Sequence, residues 1–271
     1  PWTEGTFTNA AAYPERAMLE YLHVNGCPWS ALTTFTAAYK DMLENLEYLH
    51  AHGCPWDHMT VLCAVEKGHD EIVDYALEQG CPCDRALILD VAAAHGRTHI
   101  FSCVDYHLDS TTEEIESCMM CAINAGELGM VQFLHKEFGC TLRAAHITRA
   151  VKERKADIFT YLHAEGCPID RDLPSLAAAQ GGLTLLEVMH QRGFTIDTTT
   201  MEAAATGKYG YAVKYLHRRH KVAWSARVCE NATRHGNLSA LTFAHEHGCP
   251  WTERVYLAAI EHGHVNILWY A

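Results

Sequence analysis

No apolar run in this 271-residue chain reaches the roughly 18 residues that a membrane-spanning helix needs. Alternation of apolar and polar residues between turn signals is equally absent, so strands are not expected. Basic residues are in short supply, with 21 Lys and Arg against 33 Asp and Glu and a formal charge of −12. Phosphate-backbone binding needs clustered cations, so that balance leads us to expect no nucleic-acid partner. The sequence also lacks Gly-x-Ser-x-Gly, a phosphate loop, His-Glu-x-x-His and a dinucleotide fingerprint. An enzyme needs a preorganised cluster of groups, none is visible, and no cofactor is implied.

Repetition dominates what remains. Gly26-Cys27-Pro28-Trp29 returns 27 residues later as Gly53-Cys54-Pro55-Trp56, and again as Gly80-Cys81-Pro82-Cys83, Gly166-Cys167-Pro168-Ile169 and Gly248-Cys249-Pro250-Trp251. Partial copies stand at Gly139-Cys140 and Gly193-Phe194, with eroded ones around His107 and from His220 to Trp224. Self-similarity at this period marks a solenoid, whose units bury their apolar faces against one another. Gly ends a helix in the left-handed conformation and Pro prevents it from resuming. The polar residue after the box then accepts from the free amides of the next helix. Between boxes a second break, such as Gly68-His69, Gly96, Gly126 or Gly181-Gly182, splits each unit into two short helices. In Asp70 to Gln79, Ile72, Val73, Ala76 and Leu77 make one helical face.

The pattern predicts an all-α solenoid of helix-turn-helix repeats as one continuous array over residues 1–271. Nine helix pairs start near Thr3, Ser30, Asp57, Asp84, Ser110, Thr141, Asp170, Asp197 and Ser225, and a truncated tenth at Thr252. Recognisable capping repeats are missing at both ends, which reads as a piece of a longer array.

Met59 to Gly80 resembles an ankyrin repeat. It carries the family's Ala-x-x-x-Gly-His as Ala64 to His69, then Ile72-Val73 and Leu77-x-x-Gly80, with Val65 in place of a second Ala. Weaker versions stand at Ala93-Ala94-His95-Gly96 and Ala258 to His264, and the copies at 31–52, 98–112 and 141–165 are most worn. The ankyrin period is 33 residues, so the β-hairpin finger is shortened or absent here, and Cys-Pro-Trp-Asp takes its place. The chain looks like the divergent Gly-Cys-Pro-Trp-Asp class of arrays found in large DNA viruses and protists. The resemblance implies a protein-interaction scaffold that binds on the concave helix surface rather than on fingers. The family's groove positions map to Glu66, Lys67, His95, Asn124, Gln180, Thr206, Arg234, His235, Glu261 and His262. In worn repeats, Tyr13, Tyr39, Lys40, Lys152 and Glu153 take equivalent places. The expected partner is a protein, with no membrane. Membership of a larger assembly, such as a virus particle or cytoskeletal complex, is the alternative.

Twelve cysteines invite thoughts of disulfides or metal. Box cysteines of adjacent units should lie about 10 Å apart, beyond the roughly 7 Å limit for bridging. They read as buried free thiols, which implies an intracellular compartment. Among 19 histidines, His23, His50, His163, His190, His217 and His245 recur in the last turn of the second helix, just before the box. There an imidazole is expected to meet unpaired helix C-terminal carbonyls. The pairs His50-x-His52 and His245-x-His247 diverge on a helix, and Cys81, Cys83, Cys118 and Cys121 belong to different units, so no metal site is expected. The Trp series, Trp2, Trp29, Trp56, Trp224 and Trp251, reads as packing against the new helix, with partial exposure left open.

Overall fold

The computed structural model describes residues 2–108, 111–169, 172–208 and 210–271. Pro1 and the predicted helix starts Ser110 and Asp170 lie outside them, as do the side chains about the eroded box at His107. The chain folds as two compact units, residues 1–141 and 142–271. The first holds α1 (Glu4–Ala11), α2 (Arg16–Val24), α3 (Ala31–Tyr39), α4 (Leu43–Ala51), α5 (His58–Lys67), α6 (Asp70–Glu78), α7 (Arg85–Ala94), α8 (Thr98–Leu108), α9 (Thr112–Ala125) and α10 (Leu128–Lys136). The second holds α11 (Ala144–Lys152), α12 (Ala156–Ala164), α13 (Leu173–Ala179), α14 (Leu183–Gln191), α15 (Thr198–Thr206), α16 (Tyr211–Tyr215), α17 (Ala226–Arg234), α18 (Leu238–Glu246), α19 (Glu253–Glu261) and α20 (Val265–Tyr270). The helix of α16 continues into one π turn, Leu216–His220. Among the described residues there is no strand, and each unit is an α-solenoid of antiparallel helix pairs.

Local chemistry starts the helices. Asp57 accepts from the Met59 amide at 2.9 Å, and Asp197 from those of Thr199 and Thr200 at 2.9 and 3.3 Å. In the worn repeats the caps fall at Thr111, Arg143 and Asp172, one or two residues beyond the positions read from the box spacing. Gly53 ends α4 at φ 80°. Its successor Cys54 turns the amide back onto the Leu49 carbonyl at 2.9 Å, closing the helix end.

Packing separates each unit into two unlike layers. Odd-numbered helices bury small side chains such as Ala37, Ala38, Ala92 and Ala93, or Ala177, Ala178, Ala204 and Ala205. Even-numbered helices bury larger ones, among them Leu46, Leu49, Ile72, Phe101, Phe159 and Leu186. Small residues let backbones approach, so within each unit the first helices of successive pairs sit closer together than the second helices do.

The wider spacing of the second layer is bridged by rings. His50 stacks on Trp56 with centroids 4.0 Å apart, and its Nδ1 lies 2.9 Å from the Tyr75 hydroxyl one repeat on. His23, Trp29 and Tyr48 repeat the arrangement with a 2.9 Å polar contact, and His245, Trp251 and Tyr270 with one of 3.0 Å. These histidines therefore join repeats through tyrosine hydroxyls and do not serve their own helix ends as expected. The carbonyl contacts belong instead to His52 and His247, two residues later, each with Nδ1 2.8 Å from the carbonyl oxygen four residues back.

The box thiols have a defined partner as well. Cys27 donates to the Thr3 carbonyl at 3.5 Å, Cys54 to Ser30 at 3.5 Å, Cys81 to Asp57 at 3.4 Å, Cys167 to Arg143 at 3.2 Å and Cys249 to Ser225 at 3.3 Å. In every case the acceptor is the residue capping the first helix of the same repeat as the thiol's own second helix, 24 residues back. All six box cysteines are buried and free. Burial pushes the thiols of Cys54 and Cys81 up to about 12, so almost no thiolate forms near neutrality. A thiol reagent at about pH 8 is expected to leave these two unmodified until the chain is unfolded. Mass spectrometry of the alkylated folded protein checks this, and prompt labelling of Cys54 would contradict it.

Candidate functional site

Eight of the described turns joining the two helices of a pair repeat one backbone device. Its left-handed residue is Gly68, Gly96, Gly126, Gly181, Gly236 or Gly263, but in two turns it is Asp41 at φ 61° and Arg154 at φ 57°. In four of these turns the following residue enters the second helix and reaches back onto the previous turn. His69 Nε2 lies 3.3 Å from the Tyr39 carbonyl oxygen, Arg97 Nη2 donates to Glu66 at 3.0 Å, Asn237 Nδ2 to Gly207 at 2.7 Å, and His264 Nε2 lies 3.2 Å from the Arg234 oxygen. These side chains clamp one turn to the next. Gly68, Gly96 and Gly236 leave room for Arg97, Glu127 and His264, which come within 2.9, 2.5 and 2.8 Å of where a Cβ would stand.

On this row lie the residues expected to line a binding groove. Tyr13, Tyr39, Lys40, Glu66, Lys67, His95 and Asn124 are exposed in the first unit, and Lys152, Glu153, Gln180, Arg234, His235, Glu261 and His262 in the second. Thr206 is half-buried, its hydroxyl donating to the Ala203 carbonyl at 2.7 Å. Tyr39 gathers a local cluster: it stacks on Phe35, and the ammonium groups of Lys67 and Lys40 sit 4.7 and 5.5 Å from its ring centre. His235 and His262 are turned onto their own helix ends, with Nδ1 3.0 and 3.1 Å from the carbonyl oxygens of Asn231 and Ala258.

In the second unit Lys152, Glu153 and Gln180 come together around a cavity of about 330 Å³, with Arg154, Lys208 and Tyr211 completing its polar lining. Of these, Arg154, Lys208 and Tyr211 were not expected from the sequence. A signal that could have found Arg154 is its place in the turn, where six other repeats carry the left-handed glycine. Among the described residues no group of three or more His, Cys, Asp or Glu is arranged to hold a metal ion, and no helix is long and apolar enough to cross a membrane.

No family model matches the chain, and no curated protein matches it at a significant level. Among solved structures it is similar to the pentatricopeptide repeat protein PPR10 in complex with an 18-nt psaJ RNA element, at 14% identity and a TM-score of 0.42, covering 99% of this chain and 48% of that one. It is also similar to the pentatricopeptide repeat protein PPR10 from maize, at 14% identity and a TM-score of 0.38, covering 98% and 48%. The chain thus spans about half the length of these proteins, and the likeness is one of helical repeat fold. It corrects one expectation. Net charge led us to expect no nucleic-acid partner, yet a solenoid in this comparison is solved with RNA. A charge summed over a surface does not describe each face: in this acidic chain Lys152, Arg154 and Lys208 still converge on one cavity. The exclusion of nucleic acid is withdrawn.

Proposed function

We propose that this chain is a non-enzymatic interaction scaffold that captures a protein partner on the row of first helices and inter-helix turns. The observation that carries this reading is the exposed turn row. Equivalent positions recur repeat after repeat on a rigid backbone, while their side chains change from aromatic to acidic to basic. A buried lattice of alanines and box connectors keeps the presentation uniform, and the variable side chains supply specificity. Closer packing of the first helices than of the second within each unit supports reading the row as the concave side. The ankyrin assignment, with the intracellular compartment it implies, belongs to the same proposal. It is supported by the Ala64 to Leu77 motif and by the absence of a strand between helix pairs among the described residues.

Capture of partners from a lysate of the native host by the tagged chain, identified by mass spectrometry, supplies the readout. Joint replacement of Glu66, Lys67, Arg234 and Glu261 by Ala is expected to reduce recovery of the specific partner at least about tenfold, as loss of several interface side chains does. Stability should change little, since exposed substitutions usually fall within about 0.5 kcal/mol. Undiminished capture by this variant would sink the reading.

A further inference from the structure

We infer that the N-terminal halves of α3, α5 and α7 form a docking face for a basic amphipathic helix of the partner protein. The inference deepens the scaffold reading and rests on it.

Three successive first helices of the first unit expose large apolar side chains at one repeating position. Leu32, Met59 and Leu87 stand two or three residues past the caps Ser30, Asp57 and Asp84, and are 57%, 45% and 42% exposed. One turn further on, the half-buried Phe35 and Leu62 continue the apolar surface of α3 and α5. The fold does not ask for these residues. Thr199 in α15, Arg227 in α17 and Arg254 in α19 stand two residues past the caps Asp197, Ser225 and Thr252, and they are exposed as well. A position that is polar in those repeats is apolar in three consecutive ones, which sets a patch aside for contact. Between α3 and α5 the patch opens into a groove of about 320 Å³ lined by Ala31, Leu32, Phe35 and Met59, with Asp57 as its polar wall. That space has room for one large apolar anchor.

Backbone chemistry selects a helix as the occupant. An extended segment needs a sheet edge or other partners for its amides and carbonyls, and among the described residues this face offers no strand. A helix satisfies those groups internally. Packed helices lie about 8–10 Å apart, close to the rise of about 10.5 Å over seven helical residues. A helix laid across α3, α5 and α7 thus presents an apolar residue to each of them at heptad intervals.

Charge selects its flank. The cap margin of the patch carries Asp57, Asp84 and, one repeat on, the exposed Glu113 of α9. Asp57 and Asp84 give Oδ1 to the amides of Met59 and Leu87, and among the described residues their Oδ2 atoms have no partner. Arg85, the cation beside them, is committed to Glu114 by contacts of 2.6 to 3.0 Å. Lys40 and Lys67 lie at the far ends of α3 and α5, eight residues or about 12 Å from Leu32 and Met59. A partner helix with Lys or Arg on the flank facing the caps meets carboxylates, whereas one with acidic residues there meets repulsion.

The test uses the whole chain and fluorescence anisotropy with three labelled peptide pools of one length. The first has Leu, Met or Phe at heptad intervals with Lys and Arg beside them, the second the same composition in scrambled order, and the third Glu in place of Lys and Arg. The first pool should bind at least about tenfold more tightly than either of the others. Leu32→Thr with Met59→Thr copies the residue found at Thr199, so it should keep the parent's circular dichroism and lose the preference for the ordered pool. Asp57→Asn, Asp84→Asn and Glu113→Gln together keep the caps, since Asn caps as well as Asp, and should erase the preference for the basic over the acidic pool. Equal binding of the ordered and scrambled pools, acidic-pool binding as tight as the basic, or preferences unchanged in these variants would overturn the inference. So would sedimentation showing that the patch pairs with a second copy of this chain, in a dimer that the Leu32 and Met59 variant dissolves. Capture of the native partner separates this inference from the scaffold reading. Loss of capture on replacing Glu66, Lys67, Arg234 and Glu261, with full retention in the Leu32 and Met59 variant, keeps the scaffold and removes the docking face.

Discussion

Phe159→Ala should cost the second unit about 3–5 kcal/mol, the largest single loss we expect from any substitution in α12. The ring is fully buried and occupies the wide second layer, 5.9 Å from Phe194 and 5.8 Å from His163 by ring centroids. Its removal leaves a void that helices on both sides border, and repeats held only by neighbours cannot close it from elsewhere. Urea denaturation followed by circular dichroism provides the measurement. Lys152→Ala, on the exposed turn of α11, serves as the comparison and should stay within about 0.5 kcal/mol of the parent. A loss below about 1 kcal/mol for Phe159→Ala would mean that the second layer is not the packed core described here.

Mild acid should destabilise the same unit through His217 and His220 on the π turn. Burial is the main cause that lowers the pKa of His217 from its ordinary 6.5, followed by His247 and Arg218. Its ring packs on Trp224, Phe243 and His247 at 4.6, 5.8 and 5.4 Å, while Lys214 and Arg218 sit over Phe243, so a proton there enters a site already lined with cations. His220 is lowered by burial first and then by His190, whose ring lies 4.7 Å away; Arg219 adds to this and Glu187 opposes it. Both folded pKa values lie below the unfolded one, so the unfolded chain takes up protons first. Their contribution to stability is complete above about pH 6.5 and is lost as pH falls below it. Melting curves from about pH 7.5 to about pH 5.5 should show a decline that His217→Phe and His220→Gln together reduce. An unaltered decline in the double variant would assign the acid sensitivity to other groups.

The connector was legible in the sequence because its chemistry is local. Asp57, Gly53 and Pro55 each act on the backbone within a few residues, so their identities announce a helix start or stop. Partners one repeat away were not legible. Tyr75 is 25 residues from His50, and nothing in either segment says that their side chains meet. The expected role of His50 at its own helix end was chemically sound, but the competing tyrosine hydroxyl of the next repeat took it. Helix starts in worn repeats moved for a similar reason: at Asp172 the carboxylate accepts from the Ser175 amide at 3.2 Å, a partner that box spacing cannot indicate. The expected groove positions other than Thr206 are exposed at the turns between helices, because in most repeats the glycine that makes the turn is visible in the sequence. The cavity escaped notice because Arg154, Lys208 and Tyr211 come from separate repeats, and spacing within a repeat does not say which turns share an opening.

The thiol-to-carbonyl contact of the box also bears on how such a chain can change length. Cys27, Cys54, Cys81, Cys167 and Cys249 each find an acceptor 24 residues upstream, so the contact measures the length of one helix pair. Around α9, a helix of 14 residues, the residue 24 positions upstream falls inside the helix rather than at its cap, and Cys140 donates there to the Glu116 carboxylate at 3.8 Å. Copying or deleting a segment from one box to the next preserves the ruler, the ring bridges and the alanine lattice at both new junctions. A gain or loss of any other size breaks all three at once. Arrays of this kind are therefore free to evolve in whole-repeat steps, lengthening their binding face without having to invent a new interface.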